Sequence, residues 1–236
     1  MPACSEARSE LLVKRVDALY RADLKGRLVC SNEWDRRPAP RFHLMRTPVG
    51  PIFRFRVDLP DDLASQLEEL CSRETLDPDS EMLPSQCDRY LKLLAGQAPV
   101  EKVWSGPVYV CLRDVLPRRI PTAIDDTNAD LLSKRFGDWL PDIAHRQPFM
   151  ARVEDGNAVS ICASVRITEA VHCAGVETHV DHRRRGYALD VVAGWADAVR
   201  SRNATPFYST SWDNIASQRV ARRLGFVMAG VDFHVT

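Results

Sequence analysis

The stretch Gly175-Val176-Glu177-Thr178-His179-Val180-Asp181-His182-Arg183-Arg184-Arg185-Gly186-Tyr187-Ala188 decides how the chain is read. Val176, Thr178 and Val180 alternate with polar neighbours, which is the period of a strand. From Leu189 the apolar residues recur at Leu189, Val192, Trp195, Ala196 and Val199, the period of a helix. Between the two lies a short basic loop containing Gly186. A strand, loop and helix in that order aim the free N–H groups of the helix start at whatever lies above the loop. Arg183, Arg184 and Arg185 add positive charge there, so the junction has the makings of an anion site built from main chain and helix dipole. Taken alone, the same residues also describe a solvated basic turn before an amphipathic helix, and the flanking sequence has to decide.

Upstream, Asn128 to Leu140 has helical character and stops near Pro141. Phe149-Met150-Ala151-Arg152-Val153 reads as a strand, Asp155-Gly156-Asn157 as a type I′ hairpin turn, and Ala158 to Ile167 as the second arm. Val171 to Val180 is the strand that enters the loop. Downstream, the helix runs to about Arg202 and Pro206 to Thr210 is a strand. Asp213-Asn214 then caps a helix through Arg223, Gly225 ends it, and Phe226 to Val235 forms a pair of strands or one bent strand. The order α, β, β, β, α, β, α, β is an antiparallel meander joined to parallel β-α-β crossings.

That order, with two motifs, resembles the GNAT superfamily of acyl-CoA-dependent N-acyltransferases over about residues 125–236. The acyl-CoA loop of the family, Arg/Gln-x-x-Gly-x-Gly/Ala, is met by Arg183, Gly186 and Ala188. Trp212-Asp213-Asn214-Ile215-Ala216-Ser217-Gln218 through Arg223-Leu224-Gly225-Phe226 is similar to its Asn-x-x-(Ala/Ser)…Leu-Gly-Phe segment. The resemblance implies a mixed α/β (α+β) fold with a mostly antiparallel twisted sheet, splayed central strands and flanking helices. It implies acetyl-CoA as co-substrate, with backbone groups of Arg184, Arg185, Gly186, Tyr187, Ala188 and Leu189 holding the pyrophosphate. The pantetheine arm would run along Val176, Glu177 and Thr178, with Asn214 and Ser217 beside it.

In the family a neutral amine usually attacks the thioester directly, so a base is required. Glu177, His179, His172 and Glu169 are the candidates; strand alternation puts Glu177 and His179 on one face and His172 on the other unless a bulge intervenes, and Glu177 is taken as the base. One departure stands out. Many relatives carry a Tyr that protonates the departing thiolate where this chain has Ala221. Tyr208 is the nearest substitute, water or unaided departure being the others. The expected function is therefore N-acetyl transfer to a primary amine whose identity stays open. The alternative, suggested by Ala221, is a silent acyl-CoA sensor or scaffold.

The rest of the chain bounds this reading. Its 236 residues carry 32 basic and 32 acidic side chains, with 45% hydrophobic and 27% charged residues. That composition is ordinary for a globular protein, and the charge balance gives no hint of nucleic acid or an anionic membrane as partner. Seven cysteines without C-x-x-C spacing, and no secretory or long apolar segment, lead us to expect reduced thiols, no metal site and a cytoplasmic location. A homodimer is left open.

The first 120 residues are expected to form a separate mixed α/β domain that contributes to the acceptor pocket, with 121–236 as the acetyl-CoA-binding domain. In the first half we expect a helix over Ser9–Leu24, a proline loop at Arg36–Arg41 and a strand at Ile52–Val57. A helix from Asp61 through Leu70, another around Gln86–Leu94 and a strand at Pro107–Leu112 follow, with Pro117–Pro121 as the linker.

Overall fold

The computed structural model describes residues 2–76 and 82–236, with side chains from residue 7 onward. In chain order the elements are α1 (Pro2–Leu19), β1 (Tyr20–Ala22), β2 (Leu28–Ser31), β3 (Phe42–Thr47), β4 (Gly50–Phe55), α2 (Asp61–Cys71), α3 (Cys87–Gln97), β5 (Val103–Val110), β6 (Thr122–Ala123), β7 (Phe149–Glu154), β8 (Asn157–Ile167), β9 (Val171–Thr178), α4 (Tyr187–Arg200), β10 (Thr205–Ser209), α5 (Ile215–Arg223) and β11 (Val227–Val235). Two compact units interleave along the chain. The first takes Met1–Tyr109, Ser209–Ile215 and Met228–Thr236, and the second takes Val110–Tyr208 and Ala216–Val227. The expected division at residues 120 and 121 differs at both ends. Pro117–Pro121 lies inside the second unit, where Pro121 packs so closely on α4 that a Cβ at Gly194 would sit 2.4 Å from its ring. The last strand pairs with β3 and so belongs to the first unit.

In the first unit the strands run in the order β4, β3, β11, β5. Strand β3 is antiparallel to both neighbours, with Leu44 opposite Phe233 on one side and Phe53 on the other. Helix α2 starts on Asp61 and Asp62, where acids favour the dipole. It lays Leu63, Leu67 and Leu70 into a core with Phe42, Phe55, Tyr90 and Phe233. Helix α3 is held at both ends by buried charges. Glu74 accepts the N–H groups of Ser85 and Gln86 at 3.1 and 2.9 Å, and Arg41 donates to the carbonyls of Leu94, Ala98 and Pro99 at 3.0–3.1 Å. These bonds satisfy the groups that a helix leaves open at its termini.

Helix α1 ends at Leu19 and not at Leu24. The carboxylate of Asp23 takes the N–H groups of Lys25 and Arg27 at 2.8 and 2.9 Å, and Gly26 adopts φ +76°, so the chain turns into the β1–β2 pair. Strand β3 has no counterpart in the sequence reading, because both of its faces are buried and no polar–apolar alternation marks it.

In the second unit the strand order is β10, β9, β8, β7, β6. The β7–β8 hairpin turns through Asp155 (φ +48°) and Gly156 (φ +69°), the type I′ geometry expected. Strands β8 and β9 pair antiparallel from Ser160 opposite Thr178 to Ile167 opposite His172, with a bulge between Ser164 and Arg166. Helix α4 packs on β7, β8 and β9 and buries Val191, Val192, Trp195, Ala196 and Val199. A separate cluster joins Leu132, Phe136, Ile143, Phe149 and Ile161.

The helix expected over Asn128–Leu140 is instead two 3-10 stretches, Ala129–Leu132 and Gly137–His145, with Pro141 inside the second. The Asn128 amide reaches back to the Ala123 carbonyl while its oxygen takes the Asp125 N–H, which competes with helical bonding, and Pro141 removes another donor. Helix α5 closes as expected through Gly225 at φ +73°, with the Phe226 N–H on the Ala221 carbonyl at 3.0 Å. Residues Val227–Val235 then form one strand. Among the described residues no helix is long and apolar enough to cross a membrane.

Candidate active site

The β9–α4 junction is a loop of unspent donors. Strand β9 stops at Thr178, two residues before the expected end, because Val180–His182 winds into one 3-10 turn. The chain then passes Arg184 at φ +61° and Gly186 at φ +83° before α4 begins at Tyr187. Left-handed backbone at Gly186 is the conformation that glycine adopts at least cost. The N–H groups of His182 and Arg183 are taken by the carbonyls of His179 and Val180, and that of Leu189 by Gly186 at 3.0 Å. Arg184, Arg185, Gly186, Tyr187 and Ala188 have no main-chain acceptor among the described residues. Leu189 therefore drops out of the donor set expected from sequence.

Side chains secure the loop from below. The Arg183 Nε donates to the Thr178 carbonyl at 3.3 Å, so this arginine ties the loop to its own strand. The Tyr187 hydroxyl donates to Glu154 at the end of β7. His182 Nδ1 lies 3.3 Å and Arg185 Nη1 3.8 Å from the other Glu154 oxygen. The hydroxyl of Tyr187, and then His182 and Arg185, hold the Glu154 carboxyl below the usual carboxylate range. Sequence reading missed Glu154. Its position at the tip of a hairpin arm carries no motif, and only the pairing of β7 with β8 brings it beneath the loop.

Beside the loop, β9 and β10 part. Their parallel register runs Val171 with Thr205, His172 with Pro206 and Cys173 with Phe207, and then stops. Among the described residues, β9 keeps only β8 as a partner from Ala174 to Thr178. The expected splay therefore lies along Val176, Glu177 and Thr178. Tyr208 is the first β10 residue beyond the paired stretch. It is buried, stands edge-on to Phe226, and its hydroxyl lies 2.6 Å from Ser217 Oγ on α5. Sequence reading placed Ser217 against the ligand and did not foresee this bond.

The four candidate bases separate clearly. Glu169 sits in the β8–β9 turn, at the paired end of β9 and away from the splay. His172 is buried and lies 2.8 Å from Ser164 Oγ, which in turn accepts the Trp195 indole N–H at 3.0 Å. Burial, with the Arg202 charge adding to it, pushes the His172 imidazole down to about 4. His179 has its ring 3.6 Å from an Asp181 oxygen and 5.9 Å from the His182 ring. Glu177 is exposed on the splayed stretch, and its Oε2 accepts the indole N–H of Trp139 at 3.0 Å.

Asn214 falls in the segment Ser209–Ile215 of the first unit, exposed in the turn before α5, with its N–H on the Ser211 carbonyl at 3.2 Å. Ala221, where relatives of the resembled family carry Tyr, is fully buried in α5. The cysteines Cys30, Cys71, Cys87, Cys111, Cys162 and Cys173 are free thiols, and Cys4 lies outside the described side chains. Burial pushes Cys71 up to about 12 and raises Cys162 as well, which keeps both as unreactive thiols. Among the described residues, no group of three or more His, Cys, Asp or Glu side chains is placed to hold a metal ion.

Comparison with known proteins agrees with this geometry. The family model described as GNAT acetyltransferase matches residues 148–230, which run from the start of β7 into β11. This part of the chain is similar to GNAT acetyltransferases. A Drosophila protein of solved structure shares the fold at a TM-score of 0.51, with 11% identity over 84% of this chain and 74% of that one. A GCN5-related N-acetyltransferase-like protein from Streptococcus suis is 14% identical over 84% of this chain and 85% of its own, at a TM-score of 0.49. A GNAT-family acetyltransferase structure from Novosphingobium aromaticivorans is 16% identical over 58% of this chain, at a TM-score of 0.46, and the chain spans 66% of its length. None of the curated proteins matches the chain.

Proposed function

We propose that this protein is an N-acetyltransferase that moves the acetyl group of acetyl-CoA to a primary amine. The observation that carries the reading is the coincidence of two features in one unit. Among the described residues, the N–H groups from Arg184 to Ala188 at the start of α4 have no main-chain acceptor, and the adjoining strand β9 has no β10 partner beyond Cys173. The first suits a pyrophosphate, which needs several converging donors, and the positive end of α4 adds to the attraction. The second suits an extended, amide-bearing arm, which can take up the main-chain groups of Val176, Glu177 and Thr178 as an added strand would. Ser217, on α5 of the same unit, would contact the same arm.

The chemistry then follows from the groups at the splay. A neutral amine attacks the thioester carbonyl, whose oxygen is polarised by main-chain N–H near Thr178. The C–N bond forms and the C–S bond breaks. Glu177 takes the amine proton, which an amine of pKa about 10 gives up only with help at neutral pH. The thiolate receives a proton from Tyr208, whose hydroxyl is hydrogen-bonded to Ser217.

The test is thiol release from acetyl-CoA across a panel holding an amino acid, a polyamine, an aminoglycoside and a peptide N-terminus. Titration calorimetry with acetyl-CoA runs beside it. Amine-dependent thiol release and binding in the range of micromolar Kd are expected. Gly186→Glu should abolish binding, because it puts a carboxylate and a disfavoured backbone at the donor loop. No heat on titration would refute the proposal.

A further inference from the structure

Trp139 lies outside every motif read from the sequence, yet it makes the polar contact that fixes Glu177. It sits in the 3-10 stretch Gly137–His145, and its Nε1–H donates to Glu177 Oε2 at 3.0 Å. Three further contacts set this residue. Its backbone N–H donates to the Phe136 carbonyl at 2.9 Å. Its ring stands edge-on to Phe149 on β7, with centroids 5.7 Å apart. The Arg146 guanidinium lies over it at 4.6 Å, itself paired with Asp142. The fourth neighbour is an absence of side chain: a Cβ at Gly175 would lie 3.0 Å from Trp139 Cη2. Glycine two residues before Glu177, on the same strand face, leaves the room that the indole fills.

We infer that Trp139 is a positioning residue that holds the Glu177 carboxylate over the splayed end of β9 as the proton acceptor for the incoming amine. The inference rests on the acetyl-transfer reading above. A carboxylate on an exposed strand position has free rotation about its side chain, and proton transfer needs it within hydrogen-bond reach of the amine. One donor at a fixed place selects one orientation of the carboxylate and leaves its second oxygen to the substrate. The cation stacked on the indole face strengthens the indole as a donor, since it draws electron density from the ring.

Trp139→Phe removes the indole donor, and with it the outer ring that reaches Gly175, while keeping an aromatic ring beside Phe149. With the amine found in the panel, kcat is expected to fall about tenfold or more while KM for acetyl-CoA stays unchanged. In a Glu177→Gln background, which is itself slow, Trp139→Phe should then add no further loss. Equal fractional losses in both backgrounds would mean that Trp139 only supports the fold, and an unchanged kcat would mean that Glu177 needs no positioning; either overturns the inference. A second measurement needs no turnover: the indole N–H of Trp139, followed by NMR in the free protein, should exchange with solvent faster in Glu177→Ala. Unchanged exchange overturns the pair itself. A wild-type chain with the pair intact but no thiol release removes the acceptor role together with the acetyl-transfer reading.

Discussion

His172 shows how a candidate that fits by residue type is spent on structure. Trp195 Nε1–H donates to Ser164 Oγ, which lies 2.8 Å from His172 Nδ1, so indole, hydroxyl and imidazole form one buried relay. Charging the imidazole would place a cation inside that buried site. The folded-state value of about 4 lies below the unfolded value of about 6.5, so between these pH values the unfolded chain binds more protons than the native one. Stability is therefore complete above pH 6.5 and falls as the pH drops toward 4. The full contribution from this residue is about 3 kcal/mol. His43 and His234 are also pushed down by burial, so they add loss in the same direction. The His172 ring resonances in NMR should keep the neutral form down to about pH 5. A ring that titrates near 6.5 would show that the relay does not hold.

At the scale of the element, β9 carries the site because of what it lacks. Gly175 faces the bulge on β8, where a Cβ would lie 2.4 Å from Val165 Cγ1 as well as 3.0 Å from Trp139. Gly175→Ala should cost about 1–3 kcal/mol in urea unfolding, the usual range for overpacking. Val165→Ala in the same chain should recover most of that loss, since it removes the closer of the two contacts. A single and a double variant of equal stability would show that the strand relaxes without strain.

The same scale explains what could be read in advance. The β7–β8 hairpin, the loop with Gly186 and the α5 stop at Gly225 each turn on local chemistry, namely positive φ at Asp155, Gly156, Gly186 and Gly225. Local chemistry is written in the sequence. The helical pattern of apolar residues over Asn128–Leu140 is outweighed by side-chain bonds from Asn128 and by the ring of Pro141 beyond it. The contacts of Glu154, Trp139 and Ser217 with the site escaped notice because each depends on strand pairing or packing between segments distant in sequence.

At the scale of the whole chain, the order in which segments join the two units matters more than any boundary in sequence. The final strand returns to the first unit and brings Asp232 with it. Asp232 accepts from Arg15 of α1 at 2.6 and 2.8 Å, with His43 Nε2 at 3.6 Å, and all three side chains are buried. Removing one partner from a buried ion pair strands the other charge, at a cost of about 3–5 kcal/mol, whereas replacing both with apolar groups costs much less. Asp232→Asn should therefore lower the midpoint of urea unfolding strongly, and Arg15→Met combined with Asp232→Leu should recover a large part of it. For the same reason a fragment ending at residue 109 should fail to fold. It keeps Arg15 and the edge of β3 but lacks the strand that satisfies both, with Phe233 and Val235 missing from the core as well. Far-ultraviolet circular dichroism of that fragment decides the point: a cooperative melt would mean that the first unit closes without its last strand.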